Sequence, residues 1–175
     1  MGLLMRKITS LTILILVGNL AHADFSAYYP KAKLNSEHFS KINIGAGVTQ
    51  KLMHTQLEYV NSYGIGYAKL GAFINGDNDL GAQVGFRYPI ALGTKDLNGF
   101  YLGAFAGHLE SKTVNSISKT QIGGGVDLAY VMLNKDRIST FSVGIKAGEE
   151  VTQGQSVIFE TKPELQFAYT LSVGF

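Results

Sequence analysis

The chain closes with the stretch P163-E-L-Q-F-A-Y-T-L-S-V-G-F175, which carries the strongest structural signal in the sequence. Large apolar residues alternate strictly with small or polar ones, and side chains on a β-strand alternate between its two faces. The stretch therefore predicts a strand with one wholly apolar face. Both a lipid-facing strand of a membrane barrel and an amphipathic strand of a soluble sandwich show this pattern, so the rest of the chain has to separate the two.

Upstream of this stretch, seven further segments show strand-like patterns separated by turn residues. The chain has 21 Gly, 10 Phe and 9 Tyr, and its apolar residues show no helical period. The predicted strands cover residues 40–50, 54–63, 65–74, 80–91, 99–110, 119–132, 138–148 and 163–175. Eight strands of about 10 residues predict an all-β fold, an eight-stranded antiparallel up-and-down transmembrane β-barrel.

The N-terminal segment predicts export. Arg6 and Lys7 precede a mostly apolar core from Ile8 to Leu20, and Ala21-His22-Ala23 forms a small-x-small cleavage site. Together these features predict a secretory signal peptide over residues 1–23 and export through the Sec pathway. The alternative is a retained membrane anchor, but the apolar run is shorter than a helix needs to span a bilayer.

The predicted cleavage sets the domain boundaries and the charge balance. Residues 24–37 are predicted to form an N-terminal periplasmic leader, and residues 38–175 the outer-membrane barrel. Because Arg6 and Lys7 leave with the signal, 13 basic residues face 13 acidic ones in the mature chain. This balance gives no reason to expect nucleic-acid binding. The chain has no Cys and its His residues are scattered, so no metal site and no cofactor are predicted.

On most predicted strands, one face is aromatic and aliphatic, and the other carries Gly, Ala, Ser and Gln with about one charge. A soluble barrel would bury those charges at a high cost unless they were paired. A membrane barrel turns its apolar face to lipid and encloses a polar interior. The pattern thus favours a membrane barrel whose narrow lumen is plugged by side chains. The predicted interior charge network consists of Glu58, Lys69, Arg87, Glu110, Asp127, Lys146 and Glu164.

The fifth and third strands differ in how clearly their inner faces can be assigned. On the fifth strand, the same reasoning turns the face of Tyr101, Phe105 and Leu109 to lipid, and the face of His108 and Glu110 to the interior. The third strand has no clear facing, because one face holds a charge and two rings: Tyr67, Lys69 and Phe73.

With both termini periplasmic, the outer loops with an interaction role are predicted to be residues 111–118 and 149–162.

The signal peptide, the alternation and the terminal Phe175 resemble the small eight-stranded outer-membrane proteins of Gram-negative bacteria. That class includes the transmembrane domain of OmpA, the OmpX/Ail and opacity proteins, and the YfaZ-like proteins. The segment GFYLGAFAG, residues 99–107, is typical of such barrels but marks no subfamily.

The resemblance implies a place in the cell outer membrane, in contact with lipid and lipopolysaccharide. It also implies periplasmic chaperones and the barrel assembly machinery as partners during biogenesis. The last strand would then carry the C-terminal assembly signal, formed by Phe167, Tyr169, Leu171, Val173 and Phe175.

Two enzyme families with this architecture modify lipid A, so a hydrolase or acyltransferase is an alternative. Lipid A 3-O-deacylases carry a His-x-Ser pair on one strand, whereas strict alternation here puts Ser111 on the face opposite His108. The palmitoyltransferases have an Asp-Ser pair, which this chain lacks. His108 and Glu110 share a face and stay as candidate catalytic residues. A narrow channel is the third alternative, and a structural or surface-interaction role without catalysis is the primary prediction.

Overall fold

The computed structural model describes residue 34 and residues 39–74, 79–93, 98–154 and 156–175. The predicted signal peptide, and the predicted leader apart from Leu34, lie outside the described residues. Within the described part of the chain, no helix is long and apolar enough to cross a membrane.

The described residues form ten strands, and eight of them close into a barrel. They are β1 (Ile42–Thr49), β2 (Leu52–Asn61), β3 (Gly64–Phe73), β4 (Leu80–Leu92), β5 (Gly99–Val114), β6 (Ile117–Asn134), β7 (Arg137–Gly148), β8 (Val151–Gln153), β9 (Ser156–Phe159) and β10 (Glu164–Gly174). Each barrel strand pairs antiparallel with its sequence neighbours, and β10 closes on β1, while β8 and β9 form a separate hairpin. The predicted all-β, eight-stranded up-and-down barrel is confirmed.

The outer face of the barrel is apolar, and the inner face carries polar and charged side chains together with apolar ones. On β10, Phe167, Tyr169 and Leu171 are exposed on the outside, whereas Thr170 and Ser172 are buried inside. The strands β2, β4, β6 and β7 show the same arrangement, as their alternation predicts. The barrel thus buries charged side chains and exposes large apolar ones on its wall, the reverse of a water-soluble protein, whose charged residues are mostly exposed.

The prediction for β5 is wrong along most of the strand. Tyr101, Phe105 and Leu109 are buried inside the barrel, whereas Phe100 and Leu102 lie outside. Large apolar residues occupy both faces of this strand, so alternation alone does not identify the inner one. The neighbouring strands decide it, because Phe105 pairs in register with a glycine on each side, Gly85 and Gly125. The Phe105 ring fills the space at Gly125, and the ring of Tyr67 fills the space at Gly85.

The structure also gives β3 a definite facing. Ile65, Tyr67, Lys69 and Phe73 are all buried inside the barrel, and Leu70 is exposed on the outside. Aromatic rings and a charge share the inner face because this narrow interior is filled by side chains of both kinds.

The two ends of the barrel differ. The terminal end, where β1 begins and β10 ends, encloses a buried apolar cluster. Its members are Leu34, Phe39, Val60, Ile65, Tyr101, Ala129, Val131, Leu133 and Ile138. The opposite end, called here the mouth, is lined by charged residues. Hydrophobic side chains therefore close one end of the interior, and ionic side chains line the other.

The predicted loop at 111–118 is instead a continuation of two strands. β5 and β6 stay paired up to Val114 and Ile117, around a two-residue turn formed by Asn115 and Ser116. Both turn residues have positive φ (51° and 64°), which the right-handed twist of a tight hairpin requires. This hairpin extends past the last residues of β5 and β6 that pair with β4 and β7, Gly107 and Gly123.

The second predicted loop, 149–162, contains the hairpin of β8 and β9. It is attached to the rim through Gln121, whose Nε2 donates to the carbonyls of Glu149 (2.9 Å) and Glu160 (3.3 Å). The connection between β7 and β10 is thus partly ordered by a hydrogen-bonded side chain of the barrel.

Candidate functional site

The centre of the barrel interior holds an ion pair between Arg87 on β4 and Asp127 on β6. Arg87 Nη2 lies 3.2 Å from Asp127 Oδ2, and the side chains are 1% and 4% exposed. The two residues sit on either side of β5, and both pair in register with Gly103. A Cβ atom at position 103 would collide with Asp127 Oδ1 and lie 3.2 Å from Arg87 Cγ. Glycine at this position therefore makes room for the ion pair.

Tyr67 lies between the two buried cations of the same region. Arg87 Cζ is 4.5 Å and Lys69 Nζ is 5.0 Å from the centroid of its ring. Such cation–π contacts stabilise a charge that has lost its water. Glu58, also buried, accepts a hydrogen bond from Gln56 Nε2. Two acidic and two basic side chains thus share the middle of the barrel, which lowers the cost of burying each of them.

The remaining predicted charges lie towards the mouth. Lys146 is buried, with its Nζ 3.8 Å from Glu164 Oε2 and 3.4 Å from the carbonyl oxygen of Leu109, to which it donates. Glu164 is half-exposed at the rim. Glu110 pairs with Lys51 at 2.7 Å. Lys51 is a partner that the sequence did not indicate, because it lies in the β1–β2 turn, beyond the reach of strand alternation.

The mouth contains a cavity of about 270 Å³ under the β8–β9 hairpin. Its lining combines both signs of charge with the apolar residues of β9. The lining residues are Lys51, Glu110, Lys112, Gln121, Val157, Ile158, Phe159, Glu160, Lys162 and Glu164. Since two of the three lining lysines, Lys51 and Lys162, have a carboxylate partner, the mouth is a network of ion pairs rather than a patch of one charge.

A bulge at Leu109 overturns the predicted pairing of His108 with Glu110. His108 pairs with Ile122, which is exposed on the outside, but the next pair is Glu110 with the buried Gln121. His108 therefore lies on the outer face and Glu110 on the inner one. A bulge inserts one residue, here Leu109, that has no partner on the neighbouring strand. The sequence pattern of β5 does not show where this insertion lies.

By register, the same bulge puts Ser111 on the same side of the sheet as His108, contrary to the prediction, although the Ser111 side chain is buried. The two side chains nevertheless have different partners. Ser111 Oγ donates to Asp79 Oδ2 at 2.5 Å, and His108 Nδ1 accepts from the Ala82 N–H at 3.3 Å. Hydrogen bonds from Ser111 and Ser118 lower the pKa of Asp79. No hydrogen bond of the described residues joins Ser111 to His108, which is the contact a serine nucleophile and its base require.

Among the residues the structure describes, no group of three or more His, Asp or Glu is placed to hold a metal ion. Comparison with known proteins adds no family to these observations. No protein-family model, curated protein or solved structure matches the chain.

The space at Gly103 leads to a first prediction. Gly103→Ala is expected to destabilise the folded protein by about 1–3 kcal/mol, because the added methyl group must displace Asp127 or Arg87. Unfolding by guanidinium, followed by far-ultraviolet circular dichroism, measures the change. Gly66→Ala is the matched control, since a Cβ atom there meets no atom closer than 3.9 Å. Equal midpoints for the two variants would show that position 103 does not support the ion pair.

Proposed function

We propose that the protein is an integral outer-membrane β-barrel with a plugged polar interior and a structural or surface-interaction role. The observation that carries the proposal is the reversed polarity of the closed barrel. On the eight described barrel strands, apart from Lys112 and Lys119 in the extension of β5 and β6 beyond the wall, Arg137 is the only Lys, Arg, Asp or Glu on the outer face. Five charged side chains are buried inside: Glu58, Lys69, Arg87, Asp127 and Lys146.

The outer surface supports a lipid environment on physical grounds. Monomeric proteins in water rarely expose contiguous apolar patches beyond a few hundred Å². Here the outward residues of neighbouring strands form an unbroken apolar surface, such as Leu102, Leu128 and Val143 in register across β5, β6 and β7. Hydrocarbon chains solvate such a surface, whereas water does not.

Aromatic residues add to this support. Tyr59, Tyr63, Phe100 and Tyr130 are exposed towards the terminal end of the barrel, and the last two rings pack edge to face at a centroid distance of 5.2 Å. Aromatic girdles of this kind flank the apolar band of membrane barrels at the membrane–water boundary. The terminal end would lie on the periplasmic side, and the mouth with its two hairpins on the outer side.

The interior favours a structural role over the two alternatives. A narrow channel needs a continuous polar path, but the apolar cluster of the terminal end fills the interior there. A lipid A-modifying enzyme needs a base beside its nucleophile, and the hydrogen bonds of His108 and Ser111 lead to other residues. The two mouth hairpins are the surfaces with which a partner outside the cell would interact.

Cell fractionation and gel mobility test the proposal. The expected result is recovery of the mature protein in the outer-membrane fraction, with a folded form that changes its electrophoretic mobility on boiling. Recovery as a soluble periplasmic protein would overturn the proposed location. An open pore in planar bilayers would overturn the plugged interior but keep the membrane barrel.

The last strand gives a prediction about assembly. Phe175 is highly exposed, while its backbone N–H donates to the carbonyl of Ile42 at 3.2 Å. Phe175→Ala keeps that hydrogen bond and removes only the terminal ring from the proposed assembly signal and aromatic girdle. We expect several-fold less protein in the outer membrane, with unchanged heat-modifiable mobility of the molecules that insert.

The matched control for this prediction is Ser172→Ala, an inward-facing change on the same strand. Immunoblots of outer-membrane fractions should show nearly normal amounts of this variant. If the two substitutions lowered the amount equally, the outer face of the last strand would have no special part in assembly.

A further inference from the structure

A cavity of about 430 Å³ lies at the terminal end of β6 and β7, on the outer side of the barrel. It is lined by Asn98, Met132, Leu133, Asn134, Arg137 and Ser139. Met132 and Ser139 pair in register, and Ser139 also pairs with Leu171 on β10. The small serine between two larger exposed side chains produces a groove in the apolar surface.

The polar groups of this cavity are hydrogen-bond donors. Asn98 Oδ1 accepts from the Leu133 N–H at 2.8 Å, and Asn134 Oδ1 accepts from the Lys135 N–H at 3.0 Å. Both amide oxygens thus accept a backbone N–H, and no hydrogen bond among the described residues uses either Nδ2 group, so both can donate. The Ser139 hydroxyl is already bonded to the Tyr169 hydroxyl at 3.2 Å. Two amide groups and one guanidinium therefore remain to bind an acceptor.

Charge favours an anionic acceptor. Arg137 forms no ion pair with the described residues, and none of the described residues that line the cavity is a carboxylate. The planar guanidinium binds phosphate oxygens through two parallel hydrogen bonds. The exposed thioether of Met132 and the apolar surface beyond it would contact a hydrocarbon chain, which a free phosphate ion lacks.

We propose that this cavity binds one anionic phospholipid of the periplasmic leaflet, with its phosphate on Arg137 and an acyl chain along Met132. The inference rests on the proposed membrane location, since only then does the outer face of β6 and β7 meet lipid. Asn98 and Asn134 donate to the remaining phosphate oxygens. Arg137 is thus a lipid-binding residue that also fixes the height of the barrel in the membrane.

Native mass spectrometry tests the site on the full-length mature protein. The barrel is reconstituted into phosphatidylcholine vesicles containing phosphatidylglycerol and then released into a mild detergent. We expect wild-type protein to retain one phosphatidylglycerol molecule, and Arg137→Gln to lower the retained fraction roughly tenfold, as the loss of a charge-assisted contact implies. Met132→Ser should lower retention as well, because it removes the apolar wall.

Lys135→Gln is the matched control, since it removes one positive charge two residues away on an exposed turn that does not line the cavity. Equal retention by the Arg137 and Lys135 variants would overturn the proposal. Displacement of the lipid by an equal concentration of inorganic phosphate would show a simple anion site and also overturn it. Heat-modifiable mobility reports insertion separately, so a barrel that inserts but retains no lipid refutes this inference alone. A wild-type chain that does not insert refutes the proposed function.

Discussion

Arg87→Met is expected to destabilise the folded barrel by about 3–5 kcal/mol, because it leaves Asp127 buried without its counter-charge. The aspartate cannot reach water from this position, as its side chain is 4% exposed. Methionine keeps much of the volume of arginine, so little of the loss comes from a cavity. Guanidinium unfolding of the purified protein in detergent, followed by far-ultraviolet circular dichroism, measures the change in the free energy of unfolding.

The double variant Arg87→Met/Asp127→Leu separates charge from packing. It removes both buried charges, so we expect it to be more stable than Arg87→Met alone. Lys162→Gln provides a control, since it breaks an ion pair with Glu160 whose partners are both well exposed, and such pairs contribute little. If the double variant unfolded as easily as the single one, the cost would come from packing and not from the unpaired carboxylate.

If the barrel lies in a membrane as proposed, Leu128→Lys is expected to destabilise it by about 2–4 kcal/mol, the cost of a cation facing the middle of a bilayer. Leu128 is exposed on the outer face of β6, with Leu102 and Val143 beside it in register. In water the same change would be nearly neutral, because the side chain is already exposed and the charge would be hydrated. The measurement is guanidinium unfolding in phospholipid vesicles, where the barrel is surrounded by hydrocarbon.

Ile74→Lys is the control for position in the membrane. Ile74 is also exposed and apolar, but it follows the last residue of β3 at the mouth. Near the interface such a charge costs only about 0–1 kcal/mol. Similar small effects at Leu128 and Ile74 would contradict a lipid-facing surface and favour a barrel that lies in water.

The alternation of residues predicted most strands of the barrel and the facing of many of their side chains. It works on β10 and β7, where one face is large and apolar and the other small or polar, as with Phe167 against Gln166. Charges then mark the inner face, and the structure places Arg87, Asp127 and Lys146 there. These are local properties of the chain, because a side chain's face follows from its position along a strand.

Alternation fails to identify the inner face where both faces of a strand carry large apolar residues, or where a bulge adds one residue to a strand. On β5, Tyr101 and Phe100 lie on opposite faces, and only the pairing with β6 shows which face is inside, because Tyr101 pairs with the buried Ala129 and Phe100 with the exposed Tyr130. The bulge at Leu109 then moves Glu110 inward and leaves His108 outside. The placement of His108 and Glu110 on opposite faces therefore depends on how β5 pairs with β6, which the sequence alone does not show.

The sequence by itself determined the eight strands of the barrel and the apolar character of its outer face, because each strand shows a two-residue period of apolar residues. Tertiary structure alone decided which charges meet. Arg87 and Asp127 are 40 residues apart, and they pair because β4 and β6 flank Gly103 on β5. It also decided that Lys51 reaches Glu110 and that Arg137 borders a cavity. Such contacts depend on the register and closure of the barrel, which bring together residues that no local pattern connects.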